Sequence, residues 1–294
     1  MKIGVVQSNN LQGRINLPHN RKANQNRIEA AFRSGAEVVV LPECSNHHYI
    51  VGSRQEADEL AETLDGPSVS AWREAAARHG GYVAGGIIER EADCLYNTAV
   101  LVGPGGIVGR YRKVHLFDWE TEYLTPGNLG FPVFYLDWFD VHIGMLICYD
   151  LRFPEAVRSL ALAGCELLLV PTTWTSIGKS ILWDEKGYCL ANYLAVAHSY
   201  SNRIAIACAN RAGEEGGVQF LGSSLVVDSQ SRIAAGPAAK READVLIAEI
   251  DPKLSRNKRV GTKNDLLLDR CPGQYTLLAK QNQSATIQGE NSSV

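Results

Sequence analysis

The sequence predicts an α/β protein in which helices cover two sheets. Three observations point there. Short β-branched runs, each bounded by Gly, Pro or polar residues, recur along the chain. Helical periodicities fall between some of them. Midway the alternation gives way to consecutive strands, which excludes a pure βαβ repeat and calls for hairpins inserted between α/β layers.

The strand runs lie at 3–6, 38–41, 82–88, 98–102, 141–148, 167–170, 203–209, 223–227 and 245–249. In the first helical pattern Ile28, Ala31 and Phe32 share a face, and Gly35 stands where a C-cap belongs. Gly66-Pro67-Ser68 signals the start of a second helix, with Val69, Trp72 and Ala76 on one side. A third helix is expected after Pro154, placing Val157, Leu160 and Ala161 together, and a fourth over about 182–201. Gly103-Pro104-Gly105-Gly106 reads as the tight turn of a hairpin, and Gly85-Gly86 as a turn or bulge. Residues 1–279 read as one domain. Residues 280–294, rich in Gln, Asn and Ser, read as a polar tail.

Composition removes several function classes. With 45% hydrophobic residues and a net charge of −3, the chain is neither disordered nor a basic nucleic-acid binder. No apolar run is long enough for a membrane span, and the opening residues read as a strand and not a signal peptide. At 294 residues the chain can bury roughly three quarters of its unfolded surface. Seven cysteines, an odd number with no CxxC pair, fit neither a disulfide framework nor a zinc knuckle. A reducing, cytoplasmic compartment is therefore expected. His47, His48, His115 and His142 lack metal-ligand spacing, and no phosphate-cradling glycine loop is present, so no metal or cofactor is expected.

Three positions invite chemistry. Cys148 ends an apolar strand just before Pro154 can open a helix, so its thiol is presented at a sheet edge near free backbone N–H groups. The plainer reading is a buried structural cysteine. Glu43 follows the run at 38–41 and stands at that strand's carboxyl end, where α/β sheets bind ligands; the plainer reading is a solvated loop glutamate. Lys113 lies at the end of a hairpin strand, either as a surface lysine or as an ammonium that stabilises an oxyanion.

Taken together, Leu41-Pro42-Glu43, the run from Tyr111 through Lys113 to Phe117, and Cys148-Tyr149-Asp150-Leu151-Arg152-Phe153-Pro154-Glu155 resemble the carbon–nitrogen hydrolase (nitrilase) superfamily. Tyr96-Asn97-Thr98-Ala99, Pro126-Gly127 and Phe220-Leu221-Gly222 extend the resemblance over most of the chain. It implies a four-layer αββα sandwich and a Glu43–Lys113–Cys148 triad. It also implies a second glutamate at Glu120, with Glu122 as the neighbouring alternative. It further implies catalysis without a cofactor through a cysteine thioester, and pairing into a homodimer or larger homo-oligomer. On that reading Cys148 attacks, Glu43 moves the proton, and Lys113 with the Tyr149 N–H holds the oxyanion.

The Tyr149-Asp150 pair resembles the amidase-like branch rather than true nitrilases. N-carbamoyl hydrolases carry two arginines after the cysteine motif; here Leu151 replaces the first and Arg152 remains. Arg152 either binds a substrate carboxylate or pairs with Glu155 or Asp150. Thr173 stands where several relatives have Asn. Trp174 and Trp183 are pocket walls or core. The expected activity is hydrolysis of a small linear carboxamide, releasing ammonia or an amine. The alternatives are N-carbamoyl amide hydrolysis and, further off, a nitrilase or a non-catalytic scaffold. Neither a nucleic acid nor a membrane is expected as a partner.

Overall fold

The computed structural model describes residues 1–178 and 180–280. The polar tail read at 280–294 lies, from residue 281 on, outside the described residues. Two compact units are present, Met1–Asn257 and a second that begins at Lys258. In chain order the strands of the first are β1 Lys2–Gln7, β2 Val38–Val40, β3 Tyr82–Glu91, β4 Cys94–Gly103, β5 Gly106–Arg112, β6 Val133–Leu136, β7 Val141–Met145, β8 Leu167–Pro171, β9 Ala205–Ala209, β10 Glu214–Glu215, β11 Val218–Gln219, β12 Leu225–Val227, β13 Ile233–Ala235 and β14 Asp244–Glu249. The helices are α1 Leu17–Arg33, α2 Arg54–Leu60, α3 Pro67–His79, α4 Glu120–Tyr123, α5 Pro154–Leu162 and α6 Leu190–Asn202. In the second unit the Asp265 carboxylate caps a turn at Leu267 and Leu268, and two short 3₁₀ turns follow at Pro272–Gln274 and Thr276–Ala279.

Two mixed six-stranded sheets form the centre, ordered β14-β1-β2-β3-β4-β5 and β13-β12-β9-β8-β7-β6. Alternation along β2 shows the layering. Val38 and Val40 join the core shared with the second sheet, whereas Val39 and Leu41 join Ile28, Phe32, Val69 and Trp72 of α1 and α3. On the far side Val157, Leu160 and Ala161 of α5 and Ala195 of α6 close over the second sheet. The result is the four-layer αββα sandwich. Each fully buried Val or Leu in these layers contributes about 1.5–3 kcal/mol.

Local chemistry explains where elements start and stop. The fourth helix begins only at Leu190, not near residue 182. Before it, the Asp184 carboxylate accepts the N–H groups of Lys186 and Tyr188 at 2.9 Å each, and Gly187 takes φ +87°, so the chain turns instead of coiling. Cys189 then caps the helix, its N–H held by the Asn192 side chain at 3.0 Å. The run at 141–148 stops being strand at Met145: Ile147 is still extended, but its N–H turns to the Asp150 carboxylate at 3.0 Å, and Cys148 then leaves the extended region at φ +46°. Gly85 and Gly86 form no turn. They lie inside β3, where a Cβ on Gly86 would stand 2.7 Å from the Glu43 Cα and one on Gly85 would stand 2.7 Å from the Trp72 ring. Among the described residues no helix is long and apolar enough to cross a membrane.

Candidate active site

Glu43, Lys113 and Cys148 each stand just past the carboxyl end of a strand, β2, β5 and β7 respectively. All three are buried. Their backbones are seated by close approach. Gly86 donates its N–H to the Pro42 carbonyl at 3.1 Å and accepts from Ser45 at 2.8 Å, which packs the Glu43 turn onto β3. Lys113 donates its N–H to the Asn97 carbonyl, and its own carbonyl accepts from Gly127, both at 2.8 Å. A Cβ at Gly127 would stand 2.0 Å from the Arg112 carbonyl oxygen, so the Pro126-Gly127 step is a packing requirement of the Lys113 backbone.

The side chains converge on one ammonium. Lys113 Nζ donates to Glu43 Oε1 at 2.7 Å and reaches Glu120 Oε1 at 2.9 Å and Oε2 at 2.8 Å. Glu120, the first residue of α4, is fully buried and also accepts the Phe117 N–H at 2.8 Å. Glu122 is exposed, so the buried carboxylate beside Lys113 belongs to Glu120. Asn97, on β4, bridges the two carboxylates, with Nδ2 2.7 Å from Glu43 Oε1 and 2.7 Å from Glu120 Oε1. Sequence reasoning quoted Asn97 within a motif and gave it no role. The signal was there: an amide inside the mostly apolar run from Leu95 to Leu101 must find buried partners.

Two carboxylates around one ammonium in a dry site cannot both stay ionised at ordinary cost. Burial, reinforced by the charge of Glu43 and opposed by Lys113, pushes Glu120 up to about 7. Burial works against the Lys113 ammonium, but Glu120 and Glu43 outweigh it and hold its pKa well above that of a free lysine. Burial and then the charge of Glu43 push the Cys148 thiol up to about 12, with Lys113 pulling the other way. Cys148 is therefore held as a thiol, with its Sγ 3.6 Å from the Thr173 carbonyl oxygen.

A pocket opens onto Cys148. Its walls are Phe117, Tyr149, Leu151, Arg152, Thr173, Trp174, Thr175, Leu190, Ala191, Leu194 and Leu221. Tyr149, Arg152, Thr173 and Trp174 thus all reach the cavity that the thiol lines. Trp183 stands outside this lining, its Nε1 donating to the Leu221 carbonyl at 2.9 Å. The Arg152 guanidinium is exposed and lies 5.9 Å from the centre of the Tyr149 ring; among the described residues it forms no ion pair with Glu155 or Asp150. Glu43 Oε2, Asn97 Oδ1 and Thr173 Oγ1, all buried, have no hydrogen-bond partner among the described residues. Of the histidines, His47 is buried and kept neutral by desolvation, its pKa lowered to about 3. His115 stands beside Asp150, a buried residue that sequence reasoning used to sort branches and offered as an ion-pair partner of Arg152. Among the described residues no group of three His, Cys, Asp or Glu is placed to hold a metal ion.

A four-layer sandwich that gathers a thiol, an ammonium and two carboxylates at the ends of its strands has the scaffold and functional groups of a nitrilase-fold protein. The chain belongs to the carbon–nitrogen hydrolase family, whose profile matches residues 2–259. It is 35% identical over 249 residues to a nitrilase of Pyrococcus abyssi, covering 84% of this chain and 89% of that one. It is 34% identical over 237 residues to the omega-amidase NIT2-A of Xenopus laevis, covering 76% and 80%. Among solved structures, a carbon–nitrogen hydrolase from Helicobacter pylori superposes with a TM-score of 0.83 at 26% identity, over 96% of this chain and 99% of that one.

Proposed function

We propose that this protein hydrolyses the C–N bond of a small linear carboxamide through a thioester on Cys148, with no cofactor. The observation that carries the reading is the buried Lys113 ammonium held between Glu43 and Glu120, beside a thiol that opens into a pocket.

Each step has a residue. The substrate carbonyl enters the pocket beside Cys148. Glu43, with Oε2 still able to accept, takes the thiol proton as sulfur attacks the carbonyl carbon. Because the free thiol sits near 12, proton transfer and attack are coupled rather than preceded by a standing thiolate. Lys113 and the Tyr149 N–H at the first turn after the strand stabilise the oxyanion. As the intermediate collapses, the C–N bond breaks and the Glu43 proton goes to the leaving nitrogen. Water then attacks the thioester while Glu43 takes its proton, the C–S bond breaks, and the acid leaves as the thiol is restored. Glu120 and Asn97 hold Lys113 and Glu43 in place throughout.

The pocket wall adds a substrate preference. Phe117, Leu190, Leu194 and Leu221 offer apolar contact, and Arg152, free of any carboxylate partner among the described residues, suits an acidic group on the acyl chain. We further propose a homo-oligomer assembled through the outer helices, because Tyr193 and Tyr200 of α6 and Leu162 of α5 are exposed. Light scattering tests that assembly: a mass that is a multiple of 32.1 kDa supports it, and a monomer contradicts it.

The test of the activity is a panel of primary amides with and without a terminal carboxylate, N-carbamoyl compounds and nitriles. Ammonia and carbon dioxide are both measured. Ammonia from amides without carbon dioxide supports the reading. Equal yields of both gases from N-carbamoyl compounds alone would replace it with the carbamoyl reading. Turnover of nitriles only would replace it with the nitrilase one.

A further inference from the structure

Cys148 is held at φ +46°, a left-handed conformation that strains any residue bearing a Cβ. A single buried carboxylate does the holding. Asp150 Oδ2 accepts the Ile147 N–H at 3.0 Å and the Tyr111 hydroxyl at 2.8 Å. Asp150 Oδ1 accepts the His115 N–H at 3.0 Å and meets His115 Nδ1 at 2.8 Å. Ile147 immediately precedes the nucleophile. Tyr111 and His115 flank Lys113 on either side. One side chain therefore ties the backbone entering Cys148 to the backbone on both sides of Lys113.

The anchors are themselves fixed. The Tyr111 hydroxyl accepts the Val114 N–H at 3.2 Å, and the His115 ring stacks on Phe153 at 3.6 Å between centres. Asp150 is fully buried and does not line the pocket that Cys148 opens into. It can act on the reaction only through the residues it holds. Three N–H or O–H donors are spread over its two oxygens, with the His115 ring nitrogen beside them, so it must accept at both, which an amide cannot do.

We propose that Asp150 is a positioning residue that sets the separation between the Cys148 thiol and the Lys113 ammonium. This rests on the hydrolase reading in which both groups meet the same carbonyl. A misplacement of about 1 Å between reacting groups costs on the order of 10²-fold in rate.

The test compares wild type, Asp150→Asn and Tyr111→Phe, each checked for folding by circular dichroism and Tm. The readouts are kcat and KM on an amide, and the rate at which iodoacetamide alkylates Cys148 at fixed pH. Asp150→Asn is expected to lower kcat about 10²-fold or more with KM within about threefold. It is also expected to slow alkylation, because Lys113 drawn away from the sulfur no longer favours the thiolate. Tyr111→Phe removes one of the four bonds and is expected to lower kcat and the alkylation rate about three- to tenfold with Tm nearly unchanged. A folded Asp150→Asn protein with kcat and alkylation within about threefold of wild type overturns the proposal. If Asp150→Asn does not fold, Tyr111→Phe decides: an unchanged kcat and alkylation rate overturn it, and a loss in both at constant Tm supports it. Should the wild type hydrolyse no amide, the functional reading fails, while the alkylation rates still decide whether Asp150 positions the thiol.

Discussion

Arg112 and Lys113 are adjacent, and both are buried among carboxylates, yet their surroundings differ in one respect. Arg112 donates to Glu89 through Nε and Nη2, each at 2.9 Å, and to Asn128 at 3.1 Å, and its guanidinium covers the Tyr96 ring at 3.7 Å. Glu89 has both oxygens engaged, since Thr98 donates to Oε2 at 2.7 Å and Arg110 donates to Oε1. Lys113 also sits between carboxylates, but Glu43 gathers both of its donors on Oε1 and leaves Oε2 without one among the described residues. A saturated cluster resists change and serves the fold. A cluster with one acceptor left open beside a thiol matches the proton-accepting role proposed for Glu43.

The largest effect that would break this contrast is at Glu43. Glu43→Gln is expected to lower kcat by about 10³- to 10⁴-fold, the upper range for a lost general base. Removing its charge should at the same time bring the thiol down from about 12, so iodoacetamide should alkylate Cys148 faster as turnover falls. An equal loss in both readouts would mean that Glu43 only holds the fold.

Next in size, Arg112→Met leaves Glu89 buried without its main partner. It should cost about 3–5 kcal/mol of stability by urea unfolding, while kcat of the folded protein stays within about threefold. A large drop in kcat at unchanged stability would erase the distinction between the two neighbours.

The smallest effect is a pH limb. Glu120 titrates near 7, so below that pH it is protonated and no longer a charged counter-ion for Lys113. kcat/KM should fall as pH drops through about 7, at most about tenfold per unit, and that limb should vanish in Glu120→Gln. A limb that survives the substitution belongs to another group.

Most of the fold was legible because its strands are short β-branched runs with polar bounds, as at Val38 to Leu41. What escaped depends on contacts far along the chain. β6 was not anticipated although Val133-Phe134-Tyr135-Leu136 is an apolar run, because it is only four residues long between Pro132 and Asp137, and its Phe134 packs against the Cβ position of Gly109. The start of α6 escaped because the Asp184 turn overrides a helical composition. Within the site, Glu43, Lys113 and Cys148 stood out by their places beside apolar runs, and the resemblance to the carbon–nitrogen hydrolases implied their grouping and Glu120. Asn97 and Asp150 were passed over because most of their side-chain bonds reach residues 23 or more positions away, which periodicity does not register.

The central claim is that Cys148 carries the acyl group during turnover. Intact-mass spectrometry of wild type quenched during turnover of an amide tests it directly. The account predicts a chain heavier by one acyl group, mapped to the peptide containing Cys148 and absent from Cys148→Ala, which should also lose about 10⁴-fold or more of the activity. Ammonia release that persists undiminished in Cys148→Ala, with no adduct on wild type, would contradict it.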